Sequence, residues 1–515
     1  MSGWTAGYVS GLEYVAAYNR MLAPLHLALT CALGGAEPPA LEAGYAYCEF
    51  GCGQGLTVNT LAAANRHARF VGVDFNPAHI ARAKKLAAAA GLDNAEFLEA
   101  SFEELLAPGG KLAGAEFDVV TMHGVYSWVS RENRRALVEL TRRHVKPSGL
   151  IYVSYNSMPG WAPALPLQRL LLDGTEALTG GREEIEQAIK LASEIAENGA
   201  VYDKHASFLA TIRDHLEKGH HAYLAHEYLN RYWDPQFFAD VARDFAEAKA
   251  SFAASATLIE NYPHLTLTDE QQKHIAAVPR QLRETITDFY VGKQFRRDLF
   301  VRGARKLNDR QRERCLREMR LALARPRAKV ELTLNLRLGE AKLTPQTYEP
   351  IFDALAEGPR VIGELLDLPA LRQVKSTITA VELAGILVGT DQAVPAREVD
   401  PTENVRARRF SAALADTLFR DGVYRSPALA SAVIGSALTL QPVEFLAGVE
   451  LARTPDAPYP AIAEAVLARL ARSGEGLTKD GKEVTQDAEM REAFVNDVAA
   501  TLSERAPLWR QLGIV

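Results

Sequence analysis

Cysteine is scarce in this chain. The four cysteines among 515 residues, Cys31, Cys48, Cys52 and Cys315, form no C-x-x-C pair. A disulfide framework and a zinc ribbon are therefore not expected, and a reducing, cytoplasmic setting fits. Long apolar runs are lacking too. "MLAPLHLALTCALGG" is apolar but carries Pro24 and His26, and it falls short of the ~20 residues that cross a bilayer. It reads as a buried or amphipathic helix, and no membrane insertion is expected. The opening stretch, "MSGWTAGYVSGLEY", lacks the charged-then-apolar order of a secretory signal. No internal repeat and no low-complexity tail is visible. His215, His220, His221 and His226 crowd into "DHLEKGHHAYLAHEYLNRYW", yet Asn230 stands where a zinc-binding H-E-x-x-H would need its second histidine. These histidines are read as surface and packing residues, and no metal site is expected.

What is present is more informative. At roughly 150 residues per domain, the length implies about three or four domains. The net charge of −6 is unevenly spread: Arg296 to Lys329 holds 13 Lys/Arg against 4 Asp/Glu. Such a run is either a solvated face packed on an acidic neighbour or a patch for nucleic acid or an acidic partner. The first reading is preferred, so nucleic acid is not expected as a partner.

The stretch "YCEFGCGQG" places Glu49, Gly51, Gly53 and Gly55 at alternate positions. "YAYCEF" before it is a short buried strand and "LTVNTLAAANRH" after it a helix. Glycines there permit positive φ and leave no Cβ in a ligand's way. The helix N-terminus adds free N–H groups. A second apolar strand, "ARFVGVDFNP", ends in Asp74, 19 residues past Gly55. That spacing suits a carboxylate accepting from ribose hydroxyls. Further strand and helix segments alternate to about residue 156, as a doubly wound sheet requires. Ligands in such sheets bind beyond the carboxyl ends of the strands. This rule gathers Glu49, Gly51, Cys52, Gly53, Gly55, Asp74, Phe75, Asn76, Ser101, Phe102, His123, Gly124, Tyr126 and Asn156 around one crevice.

Two nucleotide cofactors share the layout. The dinucleotide fingerprint is G-x-G-x-x-G, but position 56 is Leu. An acid, G-x-G-x-G and a strand-end Asp together resemble motifs I and II of the class I S-adenosylmethionine methyltransferases. The resemblance implies a Rossmann-like domain, S-adenosylmethionine as cofactor, and a site of Glu49, Gly51, Gly53, Gly55 and Asp74. One departure is Ser101–Phe102, where many such enzymes carry an acid for the adenine amino group. The motif after the fourth strand reads "MHGVYSW", not Asn/Asp-Pro-Pro-Tyr, and no Pro-Cys occurs. Adenine or glutamine amino methylation and cytosine C5 methylation are thus disfavoured. His123, Tyr126, Trp128 and Asn156 are the candidate catalytic residues: aromatic walls and polar groups that orient a slender amine. Trp128 is equally readable as core.

From about residue 165 the pattern turns helical, and "RQLRETITDFYVGKQFRRDLFVRG" reads as a helix. "VELTLNLRL" restores alternation; three helical stretches and "GILVGTDQAVPAR", read as a hairpin, suggest a winged-helix-like unit. The expected division is 1–165 methyltransferase domain, 166–325 helical regulatory domain, 326–400 winged-helix-like domain and 401–515 a mainly helical domain. "AHEYLNRYW", "DVARDFAEAKASF" and "FRRDLFVRG" resemble the methyltransferase regulatory domain of a bacterial family, and "SPALASAV" its C-terminal module. That family includes lysine methyltransferases acting on outer-membrane proteins, which form dimers. The resemblance implies a protein lysine acceptor and a homodimer. Tyr8, Tyr14 and Tyr18 are family-like and are expected either to cover the cofactor or to pack. A small-molecule or glycan-precursor acceptor, or a non-catalytic sensor of the cofactor, remain the alternatives.

Overall fold

The structure is a computed structural model that describes residues 16–42, 44–177, 182–198, 206–219, 224, 227–421, 424–472, 478–479, 482–483 and 487–515. Its first strands are short runs with apolar residues on both faces, as expected where helices cover both sides of a sheet. They are β1 (Ala46–Phe50), β2 (Arg69–Asp74), β3 (Ala95–Glu99), β4 (Phe117–Met122) and β5 (Val145–Asn156). Between them run α2 (Leu56–Ala64), α3 (Pro77–Ala90), α4 (Phe102–Leu106) and α5 (Arg131–His144), preceded by α1 (Pro24–Leu33). The helix boundaries follow local chemistry. Asn76 caps α3 by accepting from Ala78 N–H, and Gly91 ends it at φ +65°. Ser130 caps α5 by accepting from Asn133 N–H. The apolar run of α1 is buried, and its histidine is reconciled by a bond: His26 Nε2–H donates to the Ala256 carbonyl at 2.8 Å. Burial lowers the His26 pKa to about 4, so the ring is neutral there.

The central sheet has seven strands, and the last two arrive late in the chain. β6 (Ala250–Ser255) and β7 (Phe295–Arg302) complete the order β3-β2-β1-β4-β5-β7-β6. β1 to β5 pair in parallel, while β7 lies antiparallel to both β5 and β6. The helical reading of "RQLRETITDFYVGKQFRRDLFVRG" is thereby corrected. A helix does run from Arg283 to Val291, but Phe295–Arg302 is a strand. Its sequence hid this because inward positions carry Arg296 and Asp298. Both are buried, and Arg296 binds Asp298, Asp288 and Glu284. Between β5 and β6, helices Leu165–Ala177, Arg182–Glu197 and Ala206–Glu217 share a small core that includes Leu167, Leu171, Ile189 and Ile212.

The expected hairpin at 385–397 is not formed. Gly385 lies inside helix Ala380–Gly389, and Ala393–Ala396 pairs with Arg320–Leu323 in a three-stranded antiparallel sheet completed by Arg360–Val361. Gly385 does not sit in a turn. It is a close-approach residue: an added Cβ would overlap the Tyr262 ring, whose hydroxyl donates to Val381 O at 2.5 Å. The alternation near 330 does give a hairpin, Thr333–Leu336 with Gly339–Lys342. Part of the basic run pairs with acids of neighbouring elements: Arg305 with Glu37, Arg317 with Asp367, Arg327 with Asp353 and Lys329 with Glu504. The final third packs on α2 and α3. Asn65 Nδ2 donates to Gly435 O at 2.9 Å, Arg397 donates to Ala64 O at 3.2 Å, and Arg406 pairs with Asp93 at 2.6 Å.

Candidate functional site

The order in which strands are added reverses between the parallel strands β1 and β4, which opens a crevice above their carboxyl ends. The glycine loop rims it. Gly51, Gly53 and Gly55 all have positive φ, at 72°, 52° and 70°. Their surroundings differ. A Cβ on Gly51 would meet Val125 Cγ2 at 2.4 Å, and one on Gly55 would meet Ala83 and Phe97 at 2.6 Å. A Cβ on Gly53 would meet nothing within 4 Å. So two glycines permit close packing and the middle one faces open space. Gly124, at φ 65°, also faces open space, and its N–H donates to Ser154 Oγ at 2.9 Å.

Asp74 ties the loop to the next strand. Its carboxylate accepts from Gly53 N–H and from Asn76 N–H, each at 2.9 Å, and His79 Nδ1 lies 3.4 Å away. Both of its oxygens keep lone pairs for a further donor. Glu49 is 5% exposed, and its Oε2 has no partner. Burial, then the nearby Asp74, pushes its pKa up to about 8. A buried carboxyl oxygen without a donor is costly unless a ligand supplies one. The S-adenosylmethionine that the sequence resemblance implies has a donor set that fits: an ammonium for Glu49, ribose hydroxyls for Asp74, and a chain that needs the open side of Gly53. We expect Asp74→Ala to weaken cofactor binding at least tenfold, since charge-assisted hydrogen bonds contribute about 1.5–3 kcal/mol each. Calorimetric titration would check this; unchanged affinity would remove Asp74 from the site.

The other expected residues divide. Cys52 is buried beside the loop, and burial raises its thiol pKa. Phe75 and Asn76 follow β2, with Asn76 serving as a helix cap. Ser101 is likewise a cap, its Oγ accepting from Glu104 N–H at 3.2 Å, while Phe102 meets the Phe50 ring edge-on at 6.2 Å. Asn156 is buried at the end of β5. Its N–H donates to Ser127 Oγ at 2.8 Å, and its Nδ2 has no partner. Tyr126 does not wall the crevice. It is fully buried in the core on the other side, and its hydroxyl donates to Asp244 Oδ2 at 2.6 Å on helix Phe238–Glu247. Burial and Asp244 raise its pKa. Tyr8, Tyr14 and the histidines at 220, 221 and 226 lie outside the described residues. Among the described residues no group of three His, Cys, Asp or Glu is placed to hold a metal ion.

His123 is neutral near pH 7, because burial, then Arg297, lowers its pKa to about 4. Its Nδ1 lies 3.0 Å from both Tyr152 Oη and Ser154 Oγ, and its Nε2 lies 2.9 Å from Asn19 Nδ2. Asn19, Tyr152 and Ser154 were not anticipated. Tyr152 and Ser154 alternate on β5 and could have been read from its period of two; Asn19 carried no signal beyond its place before a helical turn.

Trp128 joins an aromatic cluster. Its ring lies 6.3 Å from Trp233, which meets Trp161 edge-on at 5.3 Å; Trp161 lies 5.7 Å from Phe208. Backbone bonds lace these loops together. Asp234 N–H donates to Ser127 O, Gln236 N–H to Asn156 O, and Met158 N–H to Gln236 O, at 2.8, 2.8 and 3.0 Å.

Comparison with known proteins follows these lines. Residues 48–151 match the family described as a methyltransferase domain, and residues 220–302 the one described as a predicted methyltransferase regulatory domain. The chain is 33% identical to the uncharacterized protein sll1526 of Synechocystis, over 99% of both chains. It is 28% identical to the uncharacterized protein RP789 of Rickettsia prowazekii, over 55% of this chain and 51% of that one. Among solved structures it is similar to PKMT2 from Rickettsia typhi in complex with AdoHcy, with a TM-score of 0.70 and 18% identity, covering 97% of this chain and 100% of that one. At that identity the likeness is one of fold.

Proposed function

Because this chain belongs to the S-adenosylmethionine-dependent methyltransferases that pair a methyltransferase domain with a regulatory domain, we propose that it methylates lysine side chains of a protein. The aromatic cluster beside the ends of β4 and β5 carries this reading. Its unsatisfied buried polar groups are all donors: Trp161 Nε1, Trp233 Nε1 and Asn156 Nδ2. Donors suit the carbonyl oxygens of a peptide. Ring faces suit the alkyl stem of lysine and its methylated cationic head. The sequence resemblance to lysine methyltransferases and the full-length likeness to PKMT2 agree with it. The same resemblance supports a homodimer, and the scarcity of cysteine a cytoplasmic setting.

When bound, the cofactor supplies a methyl group already activated on a sulfonium. The chain's own residues then bind and orient. Glu49 would offer a carboxylate oxygen once its proton is lost, Asp74 holds the loop, and His123 presents an uncharged ring. The lysine ammonium gives one proton to water before its lone pair attacks, so no dedicated base is required.

The test is transfer from radiolabelled S-adenosylmethionine into a lysate of the source organism, fractionated into protein, nucleic acid and small molecules. Label on protein lysine, lost with Asp74→Ala, is expected. Label confined to small molecules would replace this reading with a metabolite enzyme. We further expect Trp161→Ala to raise KM for the protein acceptor about tenfold or more, a desolvated cation–π contact being worth ~2 kcal/mol, with cofactor affinity unchanged. An unaltered KM would remove the cluster from the acceptor site.

A further inference from the structure

The segment Ala16–Leu22 runs from the final third of the chain to the crevice. Its first residues, Ala16–Ala17, pair in parallel with Tyr424–Ser426. Tyr18 is buried; its hydroxyl bonds Ser436 Oγ and accepts from Ala437 N–H at 3.2 Å. Ser436 and Ala437 belong to the hairpin Ala428–Ser431 with Ser436–Thr439. Arg20 pairs with Asp391. Between these two anchors, Asn19 turns to the site. Its N–H donates to Thr57 Oγ1 at 3.3 Å, in the first turn of α2, and its side chain reaches His123, just after β4. Asn19 thus bridges the two walls of the crevice.

The bonds also fix the ring. Asn19 Oδ1 accepts from Met21 N–H at 3.0 Å, so the amide cannot be turned round. Its NH2 therefore faces the ring, with Nδ2 2.9 Å from Nε2 and 3.3 Å from Nδ1. Close to both nitrogens, the amide holds the ring without setting its tautomer. Nδ1 also meets Tyr152 Oη and Ser154 Oγ, both at 3.0 Å. Held by these three partners, His123 is a fixed wall of the site.

We propose that Asn19 is a positioning residue that holds the His123 ring in place, and that the C-terminal hairpin holds Asn19 there through Tyr18. Docking of the C-terminal elements thereby completes the cofactor site. This rests on the methyltransferase activity and is independent of the acceptor.

The experiment uses the full chain labelled with 15N-histidine, with the His123 signals assigned by His123→Gln, and calorimetric titration with S-adenosylhomocysteine. Asn19→Ala and Tyr18→Phe should both shift the His123 ring signals and weaken binding about fivefold to tenfold, the effect of one buried hydrogen bond. Ser436→Ala removes the same anchor from the other side and serves should Tyr18→Phe fold poorly. His123 signals and an affinity that Asn19→Ala leaves unchanged overturn the positioning role. A His123 spectrum and affinity that respond to Asn19→Ala but not to the Tyr18 or Ser436 change overturn the role of the hairpin. Failure of wild type to bind S-adenosylhomocysteine would instead strike at the cofactor site itself.

Discussion

Gly53→Asn should reduce S-adenosylmethionine affinity at least a hundredfold while leaving the chain folded. A side chain at Gly53 points into space that no protein atom occupies within 4 Å. Asparagine tolerates the left-handed backbone better than other residues with a Cβ, so strain at φ 52° is kept small. What it displaces is ligand. Gly55→Ala supplies the contrast. The added methyl would sit 2.6 Å from Ala83 Cβ and Phe97 Cε1, in a packed seam between α2, α3 and β3. Overpacking of that kind costs roughly 1–3 kcal/mol, plus about 1 kcal/mol or more for a left-handed alanine. Gly55→Ala should therefore lower the melting temperature, and Gly53→Asn should barely move it. Thermal unfolding with and without cofactor separates the two. A Gly53→Asn protein that still gains thermal stability from the cofactor as wild type does would show that the open space is not the cofactor's.

Glu49→Gln should weaken cofactor binding and, at alkaline pH, stabilise the free protein. The two effects have one cause. The Glu49 pKa of about 8 in the fold lies above the ordinary carboxyl value of about 4.3, chiefly because the group is buried. A raised folded-state pKa means that its contribution to stability is fully present below the unfolded value. It is lost as pH rises from there through about 8. At pH 9 wild type carries a buried anion with an unpartnered oxygen, and glutamine removes that charge. A shift of each pKa unit corresponds to about 1.4 kcal/mol, so the variant should melt several degrees higher at pH 9 and near wild type at pH 5. Binding has the opposite sign. An ammonium seated on Glu49 needs the carboxylate form, so wild-type affinity should rise with pH toward about 8, until the ligand's own ammonium begins to lose its proton. In Glu49→Gln that dependence should vanish. A variant less stable than wild type at pH 9 would mean that Glu49 braces the fold and does not wait for a ligand.

The legible parts of this protein share a property: their signals are local. The strand-loop-helix of Cys48 to Ala64 can be read because alternation, glycine spacing and helical periodicity fall within about twenty residues. The same holds for Asp74 at a strand tip and for the caps Asn76 and Ser130. Reading failed where a residue's partner is remote. Tyr126 stands in a loop that belongs to the crevice, yet its ring turns to Asp244, and nothing near position 126 says so. Arg296 and Asp298 broke the apolar pattern of β7 because they satisfy each other and Asp288 inside the protein. The stretch from Gly385 read as a hairpin, and nothing near it says that Tyr262 packs against that glycine within a helix.

By itself, then, the sequence determined the strand, glycine loop and helix of Cys48 to Ala64 and the doubly wound sheet around them. These depend on steric rules of the backbone and on periodicities that a few turns of chain express. Only the tertiary structure decided which strands close the sheet, which aromatic rings gather beside β5, and that the residue facing His123 is Asn19. Its neighbour Tyr18 is bonded to a hairpin residue 418 positions away in the chain. Such pairings depend on loop closure and on mutual burial of groups far apart in sequence, for which no local pattern exists.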